Sequence, residues 1–545
     1  MIKLNVWGGA GEHGRSAYLL SGSRFHLLLD CGVKKEGAGQ YPLIDPEIVP
    51  QLDAVLLSHA HEDHSVAIPL LYKMGYQGEV WTTRETREQL GTYFRAWRSN
   101  MERAGYVIPY DETDEQRIRY RFLENEAERG HWFEIIPGVA AIWGRSGHLA
   151  GSVWFGLEME GKRVLYSGDY TSESMLLQDD DVADGFRQAD LNRHSRLRAV
   201  PEPMKSFQVI SSVSSAPPEK TDVSGEQAMK LVGGQAMGQT LVDQATYAQT
   251  LAATGSTGSE AALSSSTGIH SRILTEPMHM RESIGAMASM SNSSKVKLDL
   301  AIVDAAYGTD RDTQADKLQQ LESAIGNRIA RGGRVLLPMP AVGRGQEIIL
   351  WAQQYFQGIP MIVEQKLVDG MAQLHRVPYW LRREARIGEV SPEDSIDHFL
   401  NGEGWNKTST EEERLQLLEQ YHASLWFVPD GMMQSSLAHW YYERWSSDGK
   451  NLILLTGHVA AGTFADELLR NPEAYGKCEV RKLRYKVHQG WRDVEQMLDR
   501  ISARHTVLVH TDLAETERLR QGLLDGSSSA GADIYALSPG DELFF

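Results

Sequence analysis

Short apolar runs recur through the first third of the chain, at residues 25–29, 54–57, 139–143 and 164–166. Each is bounded by Gly, Asp or Ser, which is the pattern of a buried strand. Between them, residues 83–103 and 112–128 are polar, charged and helix-compatible. The pattern resumes at Leu298, with predicted strands at 300–303, 334–338, 425–428, 452–456 and 506–509. Helices are predicted over 313–331, 345–355 and 515–524. Alternation of strand and helix implies a parallel sheet. The expected fold class is therefore α/β.

From about Gln178 to Ser294 the texture changes to Ser, Ala, Gly, Gln, Thr and Met without a clear period. Such composition buries too little apolar surface to offset its ordering entropy. It predicts a long insertion, flexible or loosely helical. Its methionines (Met278, Met280, Met287, Met290) read either as an adhesive surface or as satellite packing.

Length and charge narrow the classes. A chain of 545 residues predicts roughly two to four domains. A formal net charge of −18 excludes a general polyanion binder, so nucleic acid would need a local basic groove or metal ions. Two cysteines, Cys31 and Cys478, are too few for a disulfide framework or a cysteine zinc site, and they suit a cytoplasmic protein. The N-terminus lacks a signal-peptide core, and no run of about 18 apolar residues predicts a membrane span.

One stretch carries chemistry. After the run 54–57 and Ser58 come His59-Ala60-His61-Glu62-Asp63-His64. Imidazole and carboxylate are typical zinc ligands. A tight turn after a strand can aim His59 and His61 at one ion. Asp63 and His64 can then face a second, about 3.5–4 Å away. A polar loop that merely contains histidines is a poor account of three histidines and an aspartate in six residues. His148 and Asp169 each follow an apolar run. Alone, Asp169 would read as a turn or cap residue. Their shared position at strand ends supports convergence on one edge of a sheet.

Together these residues resemble the metallo-β-lactamase superfamily, whose HxHxDH motif, following His and bridging Asp form a dinuclear zinc site. Asp30-Cys31-Gly32 matches its early Asp-x-Gly, and Gly8-Gly9-Ala10-Gly11-Glu12 resembles its opening turn. The chain further resembles the β-CASP branch, RNA-processing nucleases that include RNase J and the polyadenylation-factor endonuclease. Asp304-Ala305-Ala306-Tyr307-Gly308-Thr309, Gly343-Arg344-Gly345-Gln346-Glu347, Pro429-Asp430-Gly431-Met432-Met433-Gln434, Thr456-Gly457-His458 and Val509-His510 follow that branch's order.

The resemblance implies two zinc ions, with manganese as the alternative metal. One would be held by His59, His61 and His148, the other by Asp63, His64 and His510, with Asp169 bridging. A zinc-held hydroxide, oriented by Asp63, would attack phosphorus. Asp304 matches the branch's acidic motif A. His488 is the best match to its motif-B histidine, although Val487 and Gly490 depart from the usual flanking residues. That pair would steer or supply a proton to the leaving oxygen. Arg344, Ser435 and Ser436 are candidates for phosphate contacts, with an internal salt bridge the other reading of Arg344.

The implied architecture is an αββα sandwich from residues 1–306 and 482–545, with an α/β β-CASP cap inserted at 307–481 and the site in the cleft between them. The implied function is hydrolysis of single-stranded RNA, or single-stranded DNA, in endo or 5′-exo mode. Two alternatives stand: a dinuclear zinc hydrolase of a non-nucleic-acid ester or small phosphodiester, and a non-catalytic scaffold. Trp143, Trp154, Tyr307 and Trp491 either stack on bases or fill the core. A homodimer, and a protein partner held by 178–294, complete the expectations.

Overall fold

Why the chain forms three sheets follows from its short strands, most of them with a buried apolar face. The computed structural model describes residues 1–198, 295–402, 404–526 and 533–545. The first sheet contains Lys3–Gly8 (β1), Ala17–Ser21 (β2), His26–Leu29 (β3), Ala54–Leu56 (β4), Glu79–Thr82 (β5) and Tyr120–Phe122 (β6), in that order, with the C-terminal strand Glu542–Phe544 beside β1. β1, β2 and β3 pair antiparallel, whereas β3 to β6 run parallel. The second sheet contains Phe133–Ile136 (β7), Val139–Arg145 (β8), Val153–Met159 (β9), Lys162–Tyr166 (β10) and Val296–Asp304 (β11). Ile501–Val509 pairs parallel with β11, and Asp533–Ala536 lies at that edge.

These two sheets pack face to face. Leu27, Leu29 and Leu56 of the first share one core with Ala141, Trp143 and Phe155 of the second. Alternation along each strand divides the residues between two faces. In β8, Trp143 enters the inter-sheet core while Ile142 faces outward to helices Val182–Arg198 and Leu513–Asp525. Outside the first sheet, Leu28 and Val55 pack on Leu90, Phe94 and Trp97 of helix Arg84–Arg103. Each such fully buried side chain contributes roughly 1.5–3 kcal/mol. Helices on both outer faces make this an αββα sandwich.

The third sheet is wholly parallel. It comprises Val335–Met339 (β12), Met361–Glu364 (β13), Asn406–Thr408 (β14), Leu425–Pro429 (β15), Leu452–Leu455 (β16) and Glu479–Lys482 (β17), in the order β14-β13-β15-β12-β16-β17. Parallel strands need covering on both faces. Helices Arg344–Tyr355 and Gln365–His375 cover one face, and Ser436–Trp445 and Phe464–Arg470 the other. Buried Glu347 ties this layer to the sandwich, accepting hydrogen bonds from Ser174 Oγ (2.5 Å), the Met175 amide (3.0 Å) and the Tyr485 hydroxyl (2.5 Å).

Helix starts follow their caps: Thr83 and Thr313 accept from Thr86 and Asp316 amides. Two expectations are corrected. Residues 112–128 are not one helix. A capping box at Asp111 starts only Glu112–Gln116, and the alternation Ile118, Tyr120, Phe122 then forms β6. Nor does irregular chain begin near Gln178. Val182–Arg198 is a helix because Val182, Ala183, Phe186 and Ala189 bury one face of it. The rest of the expected insertion, with its four methionines, lies outside the described residues. Among the described residues no helix is long and apolar enough to cross a membrane.

Candidate metal centre

Strand β4 delivers the first candidate ligands. Leu57 and Ser58 leave it, the backbone turns, and the short helix Glu62–Ser65 follows with His61 as its N-cap. This turn is braced from outside. Amides of Ser16, Cys31 and Val33 donate to the carbonyls of Asp63 (2.8 Å), His64 (2.8 Å) and Glu62 (3.0 Å). Gly32 is required by the closeness of that brace, since a Cβ there would lie 1.8 Å from the Asp63 carbonyl carbon.

Seven side chains converge as two sets. His59 Nε2 and His148 Nε2 each lie 3.0 Å from His61 Nδ1 and 3.4 Å from Asp169 Oδ2. On the other side, His64 Nε2 lies 3.2 Å from Asp169 Oδ1 and 3.4 Å from His510 Nε2, which is 3.1 Å from Asp63 Oδ2. Asp169 thus turns one oxygen toward each set. Nitrogen atoms 3.0–3.4 Å apart that cannot share protons throughout fit another arrangement. Zinc bonds of about 2.0–2.1 Å in a tetrahedron place ligand atoms roughly 3.4 Å apart. The donors therefore fit a pair of divalent ions.

Outer contacts fix the ring tautomers. His64 Nδ1 donates to Asp30 Oδ2 (2.7 Å) and His148 Nδ1 to the Val487 carbonyl (2.8 Å), because neither oxygen can donate. Ser58 Oγ donates to Asp30 (2.6 Å), so it accepts from His59 Nδ1 (3.0 Å). In each ring Nε2 is left for a metal. The fully buried Asp30 also accepts from the Ser58 amide (2.7 Å) and the Tyr166 hydroxyl.

Electrostatics divides the sets. Burial and neighbouring histidines hold His59 and His148 well below the usual imidazole range, and burial lowers His61. In the second set burial also opposes charge, but Asp169 and Asp63 outweigh it. His64 is raised well above its ordinary value and His510 to about 9. Burial likewise opposes ionisation of Asp63, yet His64 and His510 hold it well below the carboxylate range.

Asp304 and His488 meet at the same place. His488 Nδ1 lies 3.1 Å from Asp304 Oδ2, and the buried carboxylate also accepts from Tyr170 (3.1 Å) and Ala306 (3.0 Å) amides. A cleft of about 590 Å³ runs from Asp63, His488 and His510 on the sandwich to Arg344, Met432 and His458 on the third-sheet layer. Arg344 lines it. Ser435 and Ser436 are not among its lining residues; Ser435 Oγ instead caps helix Ser436–Trp445 through the Ala438 amide. Trp143 and Trp154 are core residues. Tyr307 lines the cleft beneath the Arg484 guanidinium, 4.2 Å from its ring centre. Trp491 instead carries Arg311 at 4.0 Å.

Sequence reasoning assigned no role to Ser58 or His13, and singled out Asp30 and His458 only as parts of the Asp30-Cys31-Gly32 and Thr456-Gly457-His458 motifs. His13 and His458 rings stand 4.8 Å apart in the cleft. Burial and adjacent histidines lower His13 to about 2, and burial and the nearby Lys482 ammonium lower His458 to about 4. Asp30, like Asp169, closely follows an apolar run and lies beside a glycine, and that parallel was the available signal.

Residues 26–206 match the family described as Beta-lactamase superfamily domain. Over that segment the chain is similar to the metallo-β-lactamase superfamily. The candidate ligands sit at the ends of strands from both facing sheets of the sandwich. The chain is 22% identical to Endoribonuclease YSH1 of Eremothecium gossypii over 96% of its own length and 56% of that protein's. It is 21% identical to Endoribonuclease YSH1 of Saccharomyces cerevisiae, covering 98% and 58%. With Cleavage and polyadenylation specificity factor subunit 3 of Dictyostelium discoideum it shares 22% identity, covering 96% and 55%. The chain thus spans little more than half the length of these curated relatives.

Proposed function

We propose that this chain is a metal-dependent phosphodiesterase that cleaves single-stranded RNA, with two zinc ions as its metals. The observation that carries the reading is the Asp169 carboxylate, which offers one oxygen to each of two histidine-rich donor sets. His59, His61 and His148 would hold one ion, Asp63, His64 and His510 the other. Bound divalent ions lower the pKa of water toward neutrality and offset charge on the phosphate. Asp63, one-third exposed at the cleft, orients the attacking water. Asp304 accepts from His488 Nδ1 and so keeps that ring positioned to hand a proton to the departing oxygen.

The relatives' names favour endonucleolytic attack. Residues 307–481 act as the cap that closes the cleft, and residues 1–306 and 482–545 as the sandwich. A second reading, hydrolysis of a non-nucleic-acid ester, is favoured by the net charge of −18. The test compares end-labelled single-stranded RNA, single-stranded DNA and bis(p-nitrophenyl) phosphate, with zinc or manganese. Wild type should cut RNA internally, and Asp63→Ala should lose that activity. Equal cleavage by both proteins refutes the mechanism, and cleavage of the small diester alone supports the second reading.

A further inference from the structure

The chain crosses between the sandwich and the third-sheet layer twice, and each crossing carries one member of the Asp304–His488 pair. Asp304 closes β11 ahead of helix Gln314–Ala330, and His488 lies between β17 and helix Trp491–Arg500. The crossings are stitched together. The Tyr307 amide donates to the Gln489 carbonyl (3.1 Å), and the Tyr307 hydroxyl accepts from the Val487 amide (3.1 Å). Gln314 and the Lys486 backbone exchange two hydrogen bonds, of 2.9 and 3.0 Å. Lys486 also pairs with Glu173, but an ammonium on a flexible stem makes little directional demand. Glu347 adds a directional tie. It is 3% exposed, in the first turn of helix Arg344–Tyr355. One of its oxygens accepts from Ser174 Oγ, five positions after Asp169, and the other from the Tyr485 hydroxyl, three positions before His488. Ser174 Oγ in turn accepts from the Leu176 (3.3 Å) and Leu177 (2.8 Å) amides, which fixes its place. His488 Nδ1 stands 3.8 Å from Asp169 Oδ2.

We propose that Glu347 is a positioning residue for phosphodiester cleavage: by joining Tyr485 to Ser174 it sets His488 against Asp169, and so makes proton delivery depend on how the third-sheet layer is seated. Glu347 lies behind the site and acts through the segments on either side of it. A carboxylate suits the place, because Ser174 Oγ, the Met175 amide and the Tyr485 hydroxyl all donate to it. Catalytic groups tolerate little slack, since a misplacement of about 1 Å from a remote change can cost about 10²-fold in rate. The inference rests on the phosphodiesterase reading and deepens it.

The test uses the zinc-loaded full chain with Glu347→Gln. That change keeps the volume but aims an NH2 either at the Ser174 hydroxyl or at the Met175 amide and Tyr485 hydroxyl, so one arm breaks in either orientation. On single-stranded RNA kcat should fall about 10–100-fold. On bis(p-nitrophenyl) phosphate, whose leaving group needs no proton, it should fall far less. Added to His488→Gln, Glu347→Gln should cost little more on RNA. Tyr485→Phe removes one arm alone and should reproduce the pattern, which keeps the test open if Glu347→Gln does not fold. Independently of activity, amides 485–489 should exchange with deuterium about tenfold faster in both variants, with the buried strand β15 unchanged. Equal losses on both substrates would mark a merely structural role and overturn the proposal. So would additive losses with His488→Gln, or wild-type exchange at 485–489. A wild type that cleaves neither substrate would overturn the hydrolase reading instead, and the exchange rates would still decide whether Glu347 holds the His488 segment.

Discussion

Asp30→Asn tests whether the second donor set is held from behind. Three donors converge on Asp30 Oδ2: Ser58 Oγ at 2.6 Å, His64 Nδ1 at 2.7 Å and the Tyr166 hydroxyl. Oδ1 meets a fourth, the Ser58 amide, at 2.7 Å. An asparagine must turn its NH2 toward one of these groups. Placed at Oδ2, it forces His64 Nδ1 to accept, which moves the ring proton to Nε2 and removes the metal ligand. Placed at Oδ1, it opposes a backbone N–H that cannot adapt. Either way a buried donor is left unsatisfied, costing about 1–3 kcal/mol of stability. Loss of such an outer contact weakens metal affinity about 10–100-fold, or roughly 1.4–2.8 kcal/mol. Competition with a graded chelator series, read alongside metal content, should show the second ion weakened by that factor. The first should change little, because His59 Nδ1 keeps Ser58 Oγ. Wild-type affinity for both ions would refute the reasoning.

Metal uptake should be proton-linked at one set only. Burial disfavours the charge on His510, but Asp169 and Asp63 raise its pKa to about 9, above the roughly 6.5 of an unfolded histidine. In the metal-free protein this group stabilises the fold fully below about pH 6.5, and the contribution fades as pH rises through about 9. Affinity for the second ion should therefore climb over that window with proton release, which calorimetry in buffers of different ionisation enthalpy would detect; buffer-independent heats would count against it. His488→Gln should lower kcat on RNA about 10²–10⁴-fold with metal content retained. The loss should be much smaller on a p-nitrophenyl ester, whose leaving group needs no proton, and equal losses on both substrates would exclude the proton-donor role.

Much of the sandwich and of the metal centre was legible because their signals are local. The run His59 to His64 packs four candidate ligands into one turn, and His148, Asp169 and His510 each follow a run of apolar residues. Strand β6 was missed because Arg117, Arg119 and Arg121 make its segment look like a charged helix, although alternate residues face inward. That His13 and His458 are neighbours was illegible for another reason. Each is a single histidine in a glycine-containing turn, and only the packing of the third-sheet layer on the sandwich makes them neighbours. Ser435 shows the opposite failure. The resemblance suggested a phosphate contact, whereas in the structure its Oγ accepts from a helix amide and it does not line the cleft.

The backbone gives the same division of the metal centre as the protons do. Asp30 (φ 57°) and His510 (φ 71°) are non-glycine residues in the left-handed region, and both serve the second set. None of His59, His61 and His148 has a positive φ. Residues held in that region cost of order 1–3 kcal/mol each and persist only where the surroundings over-determine them. Asp30 is held by its four donors and by its own amide on the Leu56 carbonyl (2.9 Å), and His510 by its amide on the Gly9 carbonyl (2.7 Å). The first set is thus neutral and relaxed before metal arrives. The second is protonated, strained and assembled from segments 446 positions apart. Loading should accordingly be sequential, with the His59 side filling first and the His510 side last to fill and first to empty.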